Sequence, residues 1–196
     1  MANGDYSGAM HDFEQAAAYG YRVARFDLAS LLLMPSAGAP RVARAIALYE
    51  QAWKDGVTAA AFSLGNLYEH GVSAAGNQHE PLLVANADEA SSWYESGLRA
   101  NEPNVLAYFA ERASRSASSR SEASERDARL LESFGYYTAA VEVARRADWP
   151  DATWKGWRYR RASIARLLAR DGMTEQVVQM YKSARGGAVK FRVTRG

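Results

Sequence analysis

Between residues 145 and 170 the chain carries Arg145, Arg146, Lys155, Arg158, Arg160, Arg161, Arg166 and Arg170 against only Asp148 and Asp151. Trp149, Trp154, Trp157 and Tyr159 are set among them. Cations draw in phosphates and aromatic faces stack on bases, so this composition suits a nucleic acid. The same cations suit the carboxylates of an acidic protein. Spacing bears on the choice. Trp154, Trp157, Arg161, Ile164, Leu167 and Leu168 recur at helical intervals, which predicts a tryptophan and aliphatic core stripe. The arginines then form a solvated face, or one that docks an acidic partner.

Little else in the chain has the residue types of a reactive centre. Its histidines are His11, His70 and His79, of which His70 ends a predicted helix and His79 stands beside Glu80 in a loop. A metal would need a third ligand on a rigid scaffold. Asp88 and Glu89 are adjacent, and adjacent helical residues point about 100° apart instead of converging. There is no cysteine, which excludes disulfides, thiolate metal sites and cysteine nucleophiles. No His-Glu-x-x-His, Gly-x-Ser-x-Gly or Walker-type motif occurs. The sequence therefore predicts no catalytic residue, no metal and no cofactor: a binding protein, not an enzyme.

The elements that must position the basic segment are helical. Ala is abundant, Pro is scarce and apolar residues recur three and four apart. Helices are predicted near 8–18, 22–33, 41–54, 58–69, 87–99, 104–114, 121–133, 136–146, 153–170 and 174–184. Gly20, Gly56 and Gly71 stand where a helix C-cap needs a left-handed residue. Asp151 and Thr153 are predicted N-caps. Residues 112–127 form a Ser/Arg/Glu tract that reads as a connector. The tail 188–196 alternates Val189, Phe191 and Val193 with polar residues, a strand-like pattern. No run reaches the length of about 18 apolar residues that spans a bilayer.

One signal is longer in range. Phe13-Glu14-Gln15-Ala16-Ala17, followed by Gly20, returns 36 residues later as Tyr49-Glu50-Gln51-Ala52-Trp53, followed by Gly56. Ala24, Phe26, Leu28 and Leu31 fall on Ala60, Phe62, Leu64 and Leu67 at the same offset. A third copy, Trp93-Tyr94-Glu95-Ser96-Gly97, follows one period plus an insertion of nine, absorbed by the loop 72–86. A fixed period of this size marks a stacked array of helix pairs. The expected fold is all-α: a short right-handed α-solenoid of antiparallel helix pairs with a divergent helical C-terminal cap. Its divisions are the repeats at 1–101, a helix and Ser/Arg-rich connector at 102–127, and a C-terminal helical part at 128–196. Residues 1–98 carry 5 Lys/Arg and 11 Asp/Glu, a net of −6, while residues 99–196 carry 19 and 11, a net of +8.

The unit resembles the Sel1-like branch of the tetratricopeptide superfamily. The clearest match is Ala60, then Leu64-Gly65-Asn66-Leu67-Tyr68-Glu69-His70-Gly71, then Ala90-Ser91-Ser92-Trp93-Tyr94-Glu95-Ser96-Gly97. A second unit runs from Ala24, Leu28, Ala29 and Leu32 to Ala45, Leu48-Tyr49-Glu50-Gln51-Ala52 and Gly56, and departs from the pattern at Ala29, where that family has Gly. The likeness covers residues 4 to about 100. It implies a concave protein-binding face and no catalysis. The layout is also similar to that of bacterial Sel1-like immunity proteins paired with secreted phospholipase effectors.

Phe26 and Phe62 lie off the main buried stripe, and Tyr108 follows Ala107 as Phe62 follows Ala61. These three would anchor a partner on the concave face, with Arg22, Arg25, Asn66, Glu69 and Glu111 as its polar rim. Packing between successive units is the other reading of the aromatics. Lys155, Arg158, Arg160 and Arg161 would form a second, basic partner-binding end. The expected partner is a protein, a toxic effector in the narrower reading, with nucleic acid as the alternative. The pattern is already running by Ala9, which suggests a removed upstream leader and a periplasmic location; without one, a cytoplasmic location is expected.

Overall fold

Turns of three or four residues join most consecutive helices, and so short a connection forces the chain to reverse and pack against itself. The computed structural model describes residues 6–37, 39–73, 81–119 and 122–186. Among these it is all-α, with neighbouring helices packed in pairs. The helices are α1 (Tyr6–Ala18), α2 (Arg22–Leu33), α3 (Val42–Lys54), α4 (Ala59–His70), α5 (Ala87–Arg99), α6 (Pro103–Ser118), α7 (Ala123–Arg146), α8 (Asp151–Arg170) and α9 (Thr174–Arg185). A 3-10 turn covers Pro35–Ala37, and Val72 and Leu83 form an isolated antiparallel bridge. Two compact units divide at Gly97/Leu98.

In the N-terminal unit, Gly20, Gly56 and Gly71 adopt φ of 86°, 88° and 66°. Only glycine takes such angles without a Cβ clash. After α1 and α3 the chain closes as a Schellman cap, with Tyr21 N–H donating to Ala16 O at 3.0 Å and Val57 N–H to Ala52 O at 2.9 Å. The core joins Leu28, Ala29 and Leu32 of α2, Ala45, Tyr49 and Ala52 of α3, and Ala60 and Leu64 of α4. Burying each leucine stabilises by about 1.5–3 kcal/mol. The small residues at Ala29, Ala45, Ala52 and Ala60 are fully enclosed and let the backbones approach.

The C-terminal unit is built around α7, which packs on α6, α8 and α9. Every residue from Ser133 to Glu142 except Thr138 and its two polar neighbours in this run, Ser133 and Glu142, is apolar, aromatic or glycine, and all ten are buried. Here the structure departs from expectation. The segments 121–133 and 136–146 are one helix, and Gly135 sits inside it, where a Cβ would come 2.8 Å from Met180 Sδ of α9. The Ser/Arg/Glu tract is helical over most of its length, in the end of α6 and the start of α7. Leu106, Ala110, Ala113 and Ala117 form a buried stripe along α6 that continues into the tract. Asp151 and Thr153 belong to the first turn of α8, with Pro150 ahead of it as the cap. The predicted strand at 188–196 and His79-Glu80 lie outside the described residues.

Glu102 is a cap that composition alone does not single out. Its side chain is fully buried and accepts from Val105 N–H at 2.7 Å and from Asn104 Nδ2 at 2.9 Å, ahead of Pro103 at the first position of α6. Burial raises its carboxyl above the ordinary 4.5, opposed in part by the Val105 and Asn104 hydrogen bonds. The folded chain therefore holds this proton more tightly than the unfolded chain. The contribution is fully present below pH 4.5 and is lost as pH rises through the raised folded value. Glu102→Gln, which has no proton to lose, should flatten the fall of the urea midpoint across that window; an unchanged pH slope would contradict this.

Candidate partner-binding surfaces

The expected anchors of the N-terminal unit are half-buried and each rests on a tyrosine. Phe26 packs on Tyr49 with ring centroids 5.3 Å apart, and Phe62 on Tyr94 at 6.3 Å. The two tyrosines are corresponding residues of the sequence echo, so the same pairing occurs twice. Tyr49 O–H is placed by Ser30 Oγ at 2.9 Å, and Tyr94 O–H donates to Glu69 Oε2 at 2.7 Å. Burial raises the Tyr49 hydroxyl above its usual range. Each phenylalanine thus joins the packing between helices and keeps a partly accessible ring.

The rim residues of this unit meet in two places. Arg25 pairs with the Asp55 carboxylate and donates to Ala17 O at 3.3 Å, while Arg22 donates to Asp55 O at 3.1 Å. Arg22 thus satisfies a carbonyl at the end of α3, and Arg25 adds a second donor to Ala17 O, which already accepts from Gly20 N–H. Asn66 is exposed, and its carbonyl lies 3.1 Å from His70 Nδ1. The turn between α1 and α2 adds Tyr19 and Tyr21, 81% and 68% exposed, which the sequence reading passed over.

Tyr108 and Glu111 belong to the C-terminal unit. Tyr108 is half-buried, edge-on to Phe109 at 5.5 Å. Glu111 pairs with Arg160 across α6 and α8 at 3.1 Å. Their charges act on the Tyr137 hydroxyl, which burial pushes up to about 12.

The residues expected at the basic end separate into three environments. Trp154, Trp157, Arg161, Ile164 and Leu168 lie along the inward side of α8, whereas Leu167, expected in the same stripe, is 45% exposed. Trp154 is 8% exposed, packs on Val141 and Ala144, and donates from Nε1 to Trp149 O at 3.1 Å. Trp149 and Trp157 pack on the same cluster, 6.4 Å apart. Arg158 lies over the Trp154 ring at 5.0 Å and pairs with Asp151 at 3.0 Å. Arg160 is engaged by Glu111. Arg161 turns inward over Tyr181 at 5.6 Å, and burial holds its pKa below the usual arginine value. Lys155 remains on the outward side.

Helical geometry places Tyr159, Arg166 and Arg170 on that outward side with Lys155. Tyr159 is 71% exposed. Arg166 donates to Ser163 Oγ at 3.1 Å. Among the described residues no ion pair neutralises Lys155, Arg166 or Arg170. The basic end expected from sequence, Lys155, Arg158, Arg160 and Arg161, shares only Lys155 with this side. Pairing of Arg158 and Arg160 with Asp151 and Glu111 depends on tertiary contact, for which spacing gives no signal.

No group of three His, Asp or Glu side chains able to hold a metal occurs among the described residues. No described helix is long and apolar enough to cross a membrane. No protein-family model matches the chain, and no curated protein matches it.

Proposed function

We propose that this chain is a non-enzymatic scaffold that binds an acidic protein partner, and that the outward face of α8 is the principal contact. The observation that carries this reading is the combination of Lys155, Arg166 and Arg170, without ion pairs among the described residues, around the exposed Tyr159. Exposed cations raise association rates with an acidic surface. Tyrosine adds a large contact area at small entropic cost. The inward burial of Trp154 and the packing of Trp149 and Trp157 on the core favour a protein over a nucleic acid, because single-strand binding needs aromatic faces displayed for stacking.

The narrower proposal rests on the Sel1-like resemblance: the partner is a secreted antibacterial effector and the chain is its immunity or adaptor protein. Co-expression with the product of the adjacent gene, followed by size exclusion, tests it. A stable complex and relief of that product's toxicity are the expected results; separate elution and undiminished toxicity would remove the immunity reading. In parallel, the chain should leave labelled single-stranded oligonucleotides free at low salt. Tight binding that weakens steeply with salt would instead favour the nucleic-acid alternative.

A further inference from the structure

A second cationic group lies on the inward side of α8, away from the outward face. Its buried carboxylate among the described residues is Glu142 of α7, whose side chain is 8% exposed. Arg145 Nη2 of α7 reaches Glu142 Oε2 at 3.1 Å, and Arg185 Nε of α9 lies 3.6 Å from Oε1. Arg161 of α8 and Arg185 both lie against the Tyr181 ring, each 5.6 Å from its centroid. Arg146 donates to Arg185 O at 2.7 Å and so ties the end of α9 to α7. Arg158 completes the charged surroundings and is already engaged by Asp151.

Two guanidinium groups thus share one buried carboxylate, whose charge also acts on Arg161. Arg161 Nη1 is enclosed and has no hydrogen-bond partner among the described residues. An enclosed donor of this kind loses its water without regaining a bond, which a native fold rarely leaves uncompensated. Arg158 and Arg185 add repulsion at Arg161. Arg145 and Arg185 keep about half of their side-chain surface open, 53% and 50%, so an anion can approach the group from their side. Guanidinium forks match the oxygen spacing of carboxylates and phosphates.

We propose that Arg145, Arg161 and Arg185 form a binding site for one oxyanion group, a carboxylate or a phosphate, held beside Glu142 and bonded to the unsatisfied donor of Arg161. The site is independent of the outward face of α8 and of the partner proposed there. Glu142 then acts as an internal competitor that keeps the cations in place when the site is empty.

Side-chain Nε–Hε resonances of the full chain, titrated separately with inorganic phosphate and with glutarate against chloride at equal ionic strength, test this. Saturable movement of the Arg145, Arg161 and Arg185 signals is expected with at least one of the two. Response to phosphate alone assigns a phosphate group, and response to glutarate alone a carboxylate; no movement beyond the chloride control overturns the site. Glu142→Gln should tighten binding about tenfold, the scale of one hydrogen bond to a charged group. Arg145→Gln and Arg185→Gln added to Glu142→Gln, which leaves no buried carboxylate unpaired, should weaken binding by at least about tenfold relative to Glu142→Gln alone. A folded Glu142→Gln variant that binds no tighter than the parent would mean that the cluster is only an internal ion-pair network.

Discussion

Trp154→Ala lowers the unfolding free energy by about 3–5 kcal/mol, the usual cost of emptying a large aromatic site in a packed interior. The indole touches Val141 and Ala144 of α7, so its loss opens the contact between α7 and α8. Trp149 O loses its donor, at 3.1 Å in the native chain, and Arg158 loses the ring beneath it. The start of α8 would loosen with it, because the turn before the helix is held on the same side by Trp149 N–H donating to Ala144 O at 3.0 Å. Urea denaturation followed by circular dichroism measures the effect. A loss below about 1 kcal/mol, typical of a surface change, would mean that the tryptophan is not part of the core.

Gly65→Val is the second large effect, expected at about 3 kcal/mol, the upper end of what overpacking costs. A Cβ at this position would stand 2.6 Å from two carbons of the Tyr94 ring, closer than any real contact. The ring has little room to retreat. Tyr94 is 3% exposed, and its hydroxyl is held by Glu69. Substituting Tyr94→Ala in the same chain should recover part of the loss, so the double mutant is more stable than the sum of the single changes predicts. Strict additivity would contradict the contact. Ala29 is the corresponding residue in the preceding helix pair and buries its methyl completely, so that pair accommodates what Gly65 cannot.

These two sites illustrate what was readable in the sequence. The echo at 36 residues placed α2 and α5 without error and α1, α3 and α4 within two residues, because amphipathic stripes and the three glycine caps mark the same boundaries. The C-terminal unit was harder for an identifiable reason. A helix buried on every side has no polar face, so α7 shows no periodicity from Ser133 to Glu142. Gly135 then resembles a break, since glycine disfavours a helix interior by about 1 kcal/mol. Its purpose is tertiary, to admit Met180. The connector reading of the Ser/Arg tract followed composition, while Ala110, Ala113 and Ala117 continue a stripe of small residues that is easily overlooked.

The candidate surfaces were legible to the same limited depth. Clustering identified the basic end, and helical spacing correctly turned Trp154 inward. Spacing could not tell that Arg158 and Arg160 are neutralised by Asp151 and Glu111, whereas Arg166 and Arg170 remain available. Nor does sequence bring Arg185 to Glu142, which is a contact between α9 and α7.

The most direct test of partner binding through α8 is an isothermal titration of the adjacent gene product into the full chain and into the Lys155→Glu, Arg166→Glu, Arg170→Glu variant. All three side chains are exposed and make no ion pair among the described residues, so the variant should fold as the parent does. The account predicts at least about a hundredfold loss of affinity, concentrated in the salt-dependent part of binding. Unchanged affinity in a folded variant, against a partner that binds the parent, would contradict it.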